Sequence, residues 1–514
     1  MNGTVILVEI DVTSPAGETS TLRFADRAIR PFPPTAAGKA NLVWDDRLKE
    51  PPAFREALFE DVTTLTPSLG AGTLQLVNTD HALDAYQAFA WGEIRIWRWT
   101  EGTPFSAAVS MLKGLCGLAE VDATVRVPLY DYRAELEKAI QETLYAGGNG
   151  VGGVLYEGVA GGLKGRPKPL ALGDLTGAHI PGPQVNAGQR VHQLHDGPIQ
   201  GNVQIFDGGV DAGYAAQGDL SGAAFDGATP AAASYRTDIG RGLVKINGAP
   251  VLGLTFGCKG DKAGGTYVET PGPVLARLLA KGGVPAERIG ASVPGLASAS
   301  VVGVFASEPV NAMDLAAFVG RSALAAVLPD REGVWQAIPF APPAETADFA
   351  LAFDQIVDFR PEPAPAPVGE IRVGWGRIYT TFSRTELKAS VRDTDDEERL
   401  AAEYRYAVVA DEGVKARFPK AWATVTIDTA LRTEAAAEAL AEALRGIVGL
   451  RPDGAPRRMW KAPIVNDDAA LAVHLGATVA VDYPPLGVAE NFLLVARDLF
   501  RPQRRDQAVW TLWG

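Results

Sequence analysis

Residues 147–173 read GGNGVGGVLYEGVAGGLKGRPKPLALG. Gly148, Gly150 and Gly153 have the G-x-G-x-x-G spacing of a dinucleotide-binding turn. If that reading held, the chain would be built on parallel βαβ units. Such a turn needs a buried strand before it, a helix after it and an acid about 20 residues on. Gly148 instead follows a helical run and the polar TLYAG, and Gly158, Gly161 and Gly162 soon after it rule out a stable helix. A phosphate-binding P-loop needs Gly-Lys followed by Ser or Thr, whereas the nearby lysine reads Leu163-Lys164-Gly165. The stretch is therefore a loop. Its glycines permit close backbone approach or positive φ, and Pro167 and Pro169 stiffen its end.

Working outward, the chain reads as strands. Ile6, Val8, Ile10 and Val12 alternate with Leu7, Glu9 and Asp11, the pattern of a half-buried strand. TLRFA (21–25), GTLQLVN (72–78), EIRIWRW (93–99) and ATVRVPLYD (123–131) follow, separated by turns at Pro33-Pro34, Pro51-Pro52 and Asn78-Thr79-Asp80. RAELEKAIQ (133–141), with Leu136 and Ile140 four apart, predicts a short helix closing a first β-domain over residues 1–144. Residues 145–265 are Gly-rich with short β runs, NVQIFD (202–207) and LVKINGAPVLGLTF (243–256). Residues 266–360 mix helix and strand: Thr270 caps a helix striped by Val274, Leu275, Leu278 and Leu279 and stopped at Gly282-Gly283. A second helix is expected in 312–324 and a strand in 333–340. RPEPAPAPVG (360–369) predicts an extended polyproline spacer, with the linker at 361–369. The rest, 370–514, is a second β-domain: strands at 370–382, 404–410, 423–428, 477–483, 492–500 and 508–513, with one amphipathic helix over 433–449.

The totals agree with a packed globular chain. It has 514 residues, enough for several domains, with 47% hydrophobic and 21% charged residues. The 56 glycines and 36 prolines exceed average usage and show no period, which fits many turns and short strands. A net charge of −13 argues against binding to nucleic-acid phosphates. The N-terminal MNGTVILVEIDV has no basic leader and carries acids within its apolar run, and no stretch is apolar enough for a membrane helix. The expectation is a soluble chain made in the cytoplasm.

Candidate chemistry is weak throughout. Cys116 and Cys258 are far apart and make neither a zinc nor an iron–sulfur site, and they read as reduced, buried thiols. His192 and His195 on a strand point to opposite faces, which disfavours a metal. Ser110-x-x-Lys113 has a β-lactamase-like spacing, but it lies in a strand pattern without its companion motifs. Asp395–Glu398 reads as the start of a helix or a solvated face. Arg497, Arg501, Arg504 and Arg505 read as a solvated strand edge, with a phosphate patch as the alternative. Trp97, Trp99 and Trp510 sit in strand patterns as core or interface residues. No catalytic, cofactor-binding or metal residue is predicted.

One set of segments goes further. Tyr145-Ala146-Gly147, LKGRPKPLALG (163–173), HDGP (195–198), the helix at 270–289, VGWGRIYT (373–380), AEYRYAVV (402–409) and Trp513-Gly514 together resemble tail-tip (baseplate) hub proteins of long-tailed bacteriophages and gene transfer agents. The resemblance implies a mainly β fold with α+β elements, in which two tail-tube-like β-barrel domains flank inserted middle domains. It implies a non-enzymatic homotrimer at the virion tail tip, assembled in the host cytoplasm. Six barrels from three chains would join a six-fold tube to a three-fold tip. The implied partners are the tail tube protein, the distal tail protein, the tape-measure protein and distal spike or fibre proteins, with DNA passing through the lumen unbound. Some gene-transfer-agent hubs are thought to hold iron–sulfur clusters, and two distant cysteines depart from that, so no cofactor is expected. The alternatives are a peptidoglycan-degrading tail enzyme with an unrecognised carboxylate pair and a carbohydrate- or receptor-binding tail module suggested by the ten tryptophans.

Overall fold

The computed structural model describes residues 3–29, 32–33, 35, 39–50, 52–149, 155–159, 161–500, 504 and 506–514. Pro34, Pro51, Gly150, Gly153, Arg501 and Arg505, named above, lie outside the described residues. The fold is mainly β, as the alternating patterns predict, with several sheets and a few short helices.

The N-terminal strands pair antiparallel in the spatial order Thr19–Ala25, Thr4–Thr13, Ala90–Thr100, Val109–Cys116, Thr124–Tyr130, Ala71–Val77. Residues 45–49 fill the gap between the first and last of these. The Asp45 amide donates to the Arg23 carbonyl and its carbonyl accepts from Ala25, while Lys49 donates to Gln75 and Val77 to Arg47. Backbone hydrogen bonds thus run from the first strand through these residues to the last, and among the described residues the strands form a circuit. Ile6, Val8, Ile10 and Val12 face its interior with Leu74, Leu76, Val125, Val127 and Leu129. The first strand was expected to be half-buried and is buried on both faces. Val5 and Leu7, on its outer face, lie under Phe32 and Trp44 from the long connection that folds back over the sheet. Glu9, on that outer face, is also buried, held by Arg23 at 3.0 Å and Lys39 at 2.6 Å.

A second, smaller circuit lies near the C-terminus. Thr478–Tyr483, Val488–Asp498, Gln507–Trp513 and Met459–Val465 pair antiparallel in that order. One run of chain meets both outer strands of this sheet: Phe349–Leu351 pairs parallel with Thr478–Tyr483, and Arg360–Pro361 pairs antiparallel with Met459–Val465. The circuit therefore takes in residues before the spacer expected at 361–369. Pro361 can end the edge strand because an outer position needs no N–H from it. After it, Val368–Trp375 begins a separate three-stranded sheet with Arg405–Ala410 and Ala423–Asp428. The helix Glu434–Val448 covers one face of that sheet through Ala437, Leu440, Ala441, Leu444, Ile447 and Val448.

The two circuits are parts of one sheet. The strand Ala53–Ala57 pairs with Ala71–Val77 through its first half and with the end of Val488–Asp498 through its second. Gly72 allows the crossing, since a Cβ there would stand 1.9 Å from the Ala53 carbonyl oxygen.

Between the circuits in sequence, helices Pro271–Lys281 and Ala312–Arg321 pack together, and Leu170–Gly173 pairs with Gly303–Ala306. The helix expected over 133–141 is only a single 3-10 turn, Tyr132–Leu136. Tertiary bonds claim the backbone beyond it: Ile140 donates to Val310, and Lys138 accepts from Ala312.

Candidate functional site

Four of the segments that carry the hub resemblance, 145–147, 163–173, 195–198 and 270–289, meet in a buried clasp. Tyr145 and Lys168 donate their amides to Arg166 and Thr143 across a short paired stretch, both at 2.9 Å. The Tyr145 hydroxyl donates to Gln193 Oε1 at 2.6 Å, and the Lys168 ammonium reaches Glu157 at 2.7 Å. The Asp196 amide donates to the Pro169 carbonyl at 2.8 Å, so the HDGP turn is tied to the proline-stiffened strand entry. Gly173 ends that strand at φ +71°, where an added Cβ would lie 2.1 Å from the Val302 carbonyl oxygen.

His195 is the centre of the clasp and is fully buried. Its Nδ1 accepts the Ala171 amide at 3.0 Å, which places the ring proton on Nε2, the atom that donates to Asp261 at 3.0 Å. Asp261 also pairs with Arg277 and, at 3.4 Å, with Lys281. Burial pushes the His195 pKa down against the pull of Asp261. Burial alone would raise Asp261; the His195 hydrogen bond and the Lys281 and Arg277 charges outweigh it and hold the carboxyl at about 2. Both ring nitrogens are engaged, so this imidazole has no lone pair to offer a nucleophile. The arrangement ties the Leu254–Asp261 strand, the Pro271–Lys281 helix and the proline segment together.

The two histidines weighed as a metal pair have separate partners, and they do not share a strand, because the strand that holds His192 ends at Gln193. His192 Nδ1 meets the Gly182 carbonyl at 2.7 Å. Among the described residues no group of three potential ligands could hold a metal ion. Ser110 Oγ contacts the Arg331 carbonyl, and Lys113 reaches Glu93 at 3.6 Å, so the Ser–Lys spacing brings no nucleophile and base together. Cys116 and Cys258 are free thiols, both pushed up to about 12 by burial. Asp395–Glu398 forms the first turn of the helix Asp395–Ala401, where acids oppose the positive helix end. Trp99 and Trp510 are core residues. Among the described residues no helix is long and apolar enough to cross a membrane.

The joint between the circuits holds another buried charge cluster. Arg497, expected on a solvated edge, is 3% exposed and paired with Glu56 across the Ala53–Ala57 and Val488–Asp498 pairing. Its Nη1 also donates to the Val473 carbonyl. Nearby, Arg98 of the first circuit donates to the Asn466 carbonyl and pairs with Asp468. Leu471, Leu499 and Phe500 from the C-terminal side pack into the first circuit's core. Sequence reading missed Glu56, Asp261 and Arg277. Glu56 in FREALF and Arg497 in LLVARDLF do carry a signal, a charge set inside an apolar run.

No protein-family model matches the chain, and no curated protein matches it. Among solved structures the chain is similar to a tail protein from Neisseria meningitidis MC58, at 8% identity and a TM-score of 0.41, covering 99% of this chain and 96% of that one. It is similar to the 43 kDa tail protein of prophage MuSo2 from Shewanella oneidensis, at 11% identity and a TM-score of 0.36, covering 98% and 97%. A prophage tail protein from Listeria monocytogenes EGD-e follows at 8% identity and a TM-score of 0.35, covering 98% and 94%.

Proposed function

We propose that the chain is a structural hub at the tip of a phage-like tail, with no catalysis of its own. Three copies form a closed ring, each contributing two strand circuits, so that six circuits face a six-fold tube and three chains face a three-fold tip. The tail tube protein, distal tail protein, tape-measure protein and distal spike or fibre proteins are its partners. DNA crosses the lumen unbound, which the net charge of −13 favours.

The observation that carries this reading is the fusion of two strand circuits into one sheet through Ala53–Ala57. Two unequal strand circuits joined in one chain are what a converter between six-fold and three-fold symmetry needs. The motif resemblance points the same way, because its central segments build the clasp that braces the middle of the molecule. The hydrolase alternative draws no support from His195 and Asp261, which are sealed and fully paired. Native mass spectrometry of the purified full chain tests the proposal. A species of three times the 54.2 kDa chain mass is expected at tens of micromolar, and a monomer at every concentration overturns it.

A further inference from the structure

We propose that the cleft beside the joint is a binding site for a short-chain organic carboxylate, held by Arg331. The cleft has a volume of about 410 Å³, within the range of small-molecule sites. Its polar wall includes Glu56, Arg331 and Arg497, and its apolar wall includes Leu328, Ile338 and Leu475.

The wall carries two carboxylates, Glu56 and Asp330, and two arginines, but among the described residues only Arg497 is in a direct ion pair there. Arg331 is 9% exposed, and its Nη2 donates to the Val473 carbonyl at 3.1 Å. Arg497 donates to the same carbonyl oxygen at 2.5 Å. Two guanidinium groups therefore converge on one carbonyl, and Glu56 neutralises Arg497. Arg331 has no ion pair among the described residues, and its Nε is buried without a hydrogen-bond partner. The adjacent Asp330 makes no ion pair with it: the Asp330 carboxylate accepts from the Glu332 and Val334 amides and from Gln336 Nε2. A buried guanidinium with no direct ion pair and an unpartnered N–H is costly, and an anion entering the cleft lowers that cost.

The rest of the lining selects the kind of anion. A carboxylate can pair with the planar guanidinium fork through two parallel hydrogen bonds. Inorganic phosphate offers the same oxygens but has no carbons to fill the apolar side of the cleft. A carboxylate with a short aliphatic chain satisfies both walls, its carbons removing apolar area from solvent.

Calorimetric titration of the full chain with hexanoate, hexanamide and inorganic phosphate tests this. Hexanoate is expected to bind once per chain and raise the melting temperature, while hexanamide and phosphate at equal concentration do neither. Arg331→Gln is expected to weaken hexanoate binding about tenfold or more. If that variant fails to fold, Ile338→Trp narrows the cleft without touching a charge and is expected to weaken it comparably. No hexanoate binding, equal binding of hexanamide or phosphate, or affinity unchanged in both folded variants overturns the proposal.

Discussion

Replacing Arg497 with leucine is expected to destabilise the chain by about 3–5 kcal/mol, the usual cost of stranding one member of a buried ion pair. Glu56 would be left buried with its charge uncompensated, and the Val473 carbonyl would lose a donor. The loss falls on the one strand pairing that joins the circuits, so they should come apart as separate thermal transitions. Scanning calorimetry of the wild type is expected to show the two circuits melting together, and of Arg497→Leu a lower, split transition. The double variant Glu56→Gln with Arg497→Met should recover much of the loss, because neutral partners of similar shape remove the stranded charge. Equal melting of wild type and Arg497→Leu would mean that the joint does not couple the circuits.

Mild acid is expected to open the Gly-rich middle segment first. His179, His192 and His195 are all buried there, and burial lowers the pKa of each from its ordinary value, His179 to about 4. A histidine whose folded pKa is depressed binds its proton more readily when unfolded. Its contribution is intact above the unfolded value near 6.5 and is lost as pH falls from there towards the folded value. For His179 alone the loss approaches about 3 kcal/mol by pH 4. Protonating His195 also forces Nδ1 to give up the Ala171 amide, which loosens the clasp. Asp261 acts outside this window: its depressed pKa stabilises the fold above the ordinary carboxyl range and is lost only as pH falls towards about 2. Hydrogen exchange, corrected for intrinsic rates, should show protection around the His195–Asp261 clasp falling between pH 6.5 and 4 while the first circuit stays protected. His179→Gln should reduce the steepness of that fall by about one proton. Protection that is flat down to pH 4 contradicts this.

Much of the local structure was legible in the sequence because it is set locally. The period-two runs at 5–12, 72–78 and 93–99 are strands, and the apolar stripes at 271–281 and 434–448 are helices that bury those stripes. What was not legible depends on distant chain. Leu136 and Ile140 have helical spacing and are buried as expected, but hydrogen bonds to residues near 310 replace the helix. Arg497 read as exposed because more arginines follow it, and its carboxylate partner lies 441 residues away. Of those arginines Arg504 is exposed, so the basic character of the run did not predict the burial of its first member. The closing of each circuit was equally hidden. Residues 45–49 and 349–361 have no strong strand pattern, and they pair because they lie across open edges that neighbouring strands create. The clasp was half legible: its prolines, glycines and His195 stood out, while Asp261 and Arg277 resemble any charged surface residues until the strand and helix bring them together.

Electron cryomicroscopy of the purified oligomer tests the hub reading most directly. A map with three-fold symmetry, in which six strand circuits, two from each chain, alternate around one axial pore, is the predicted result. A map in which the two circuits of a chain lie at different heights, or in which no pore runs along the axis, would contradict it.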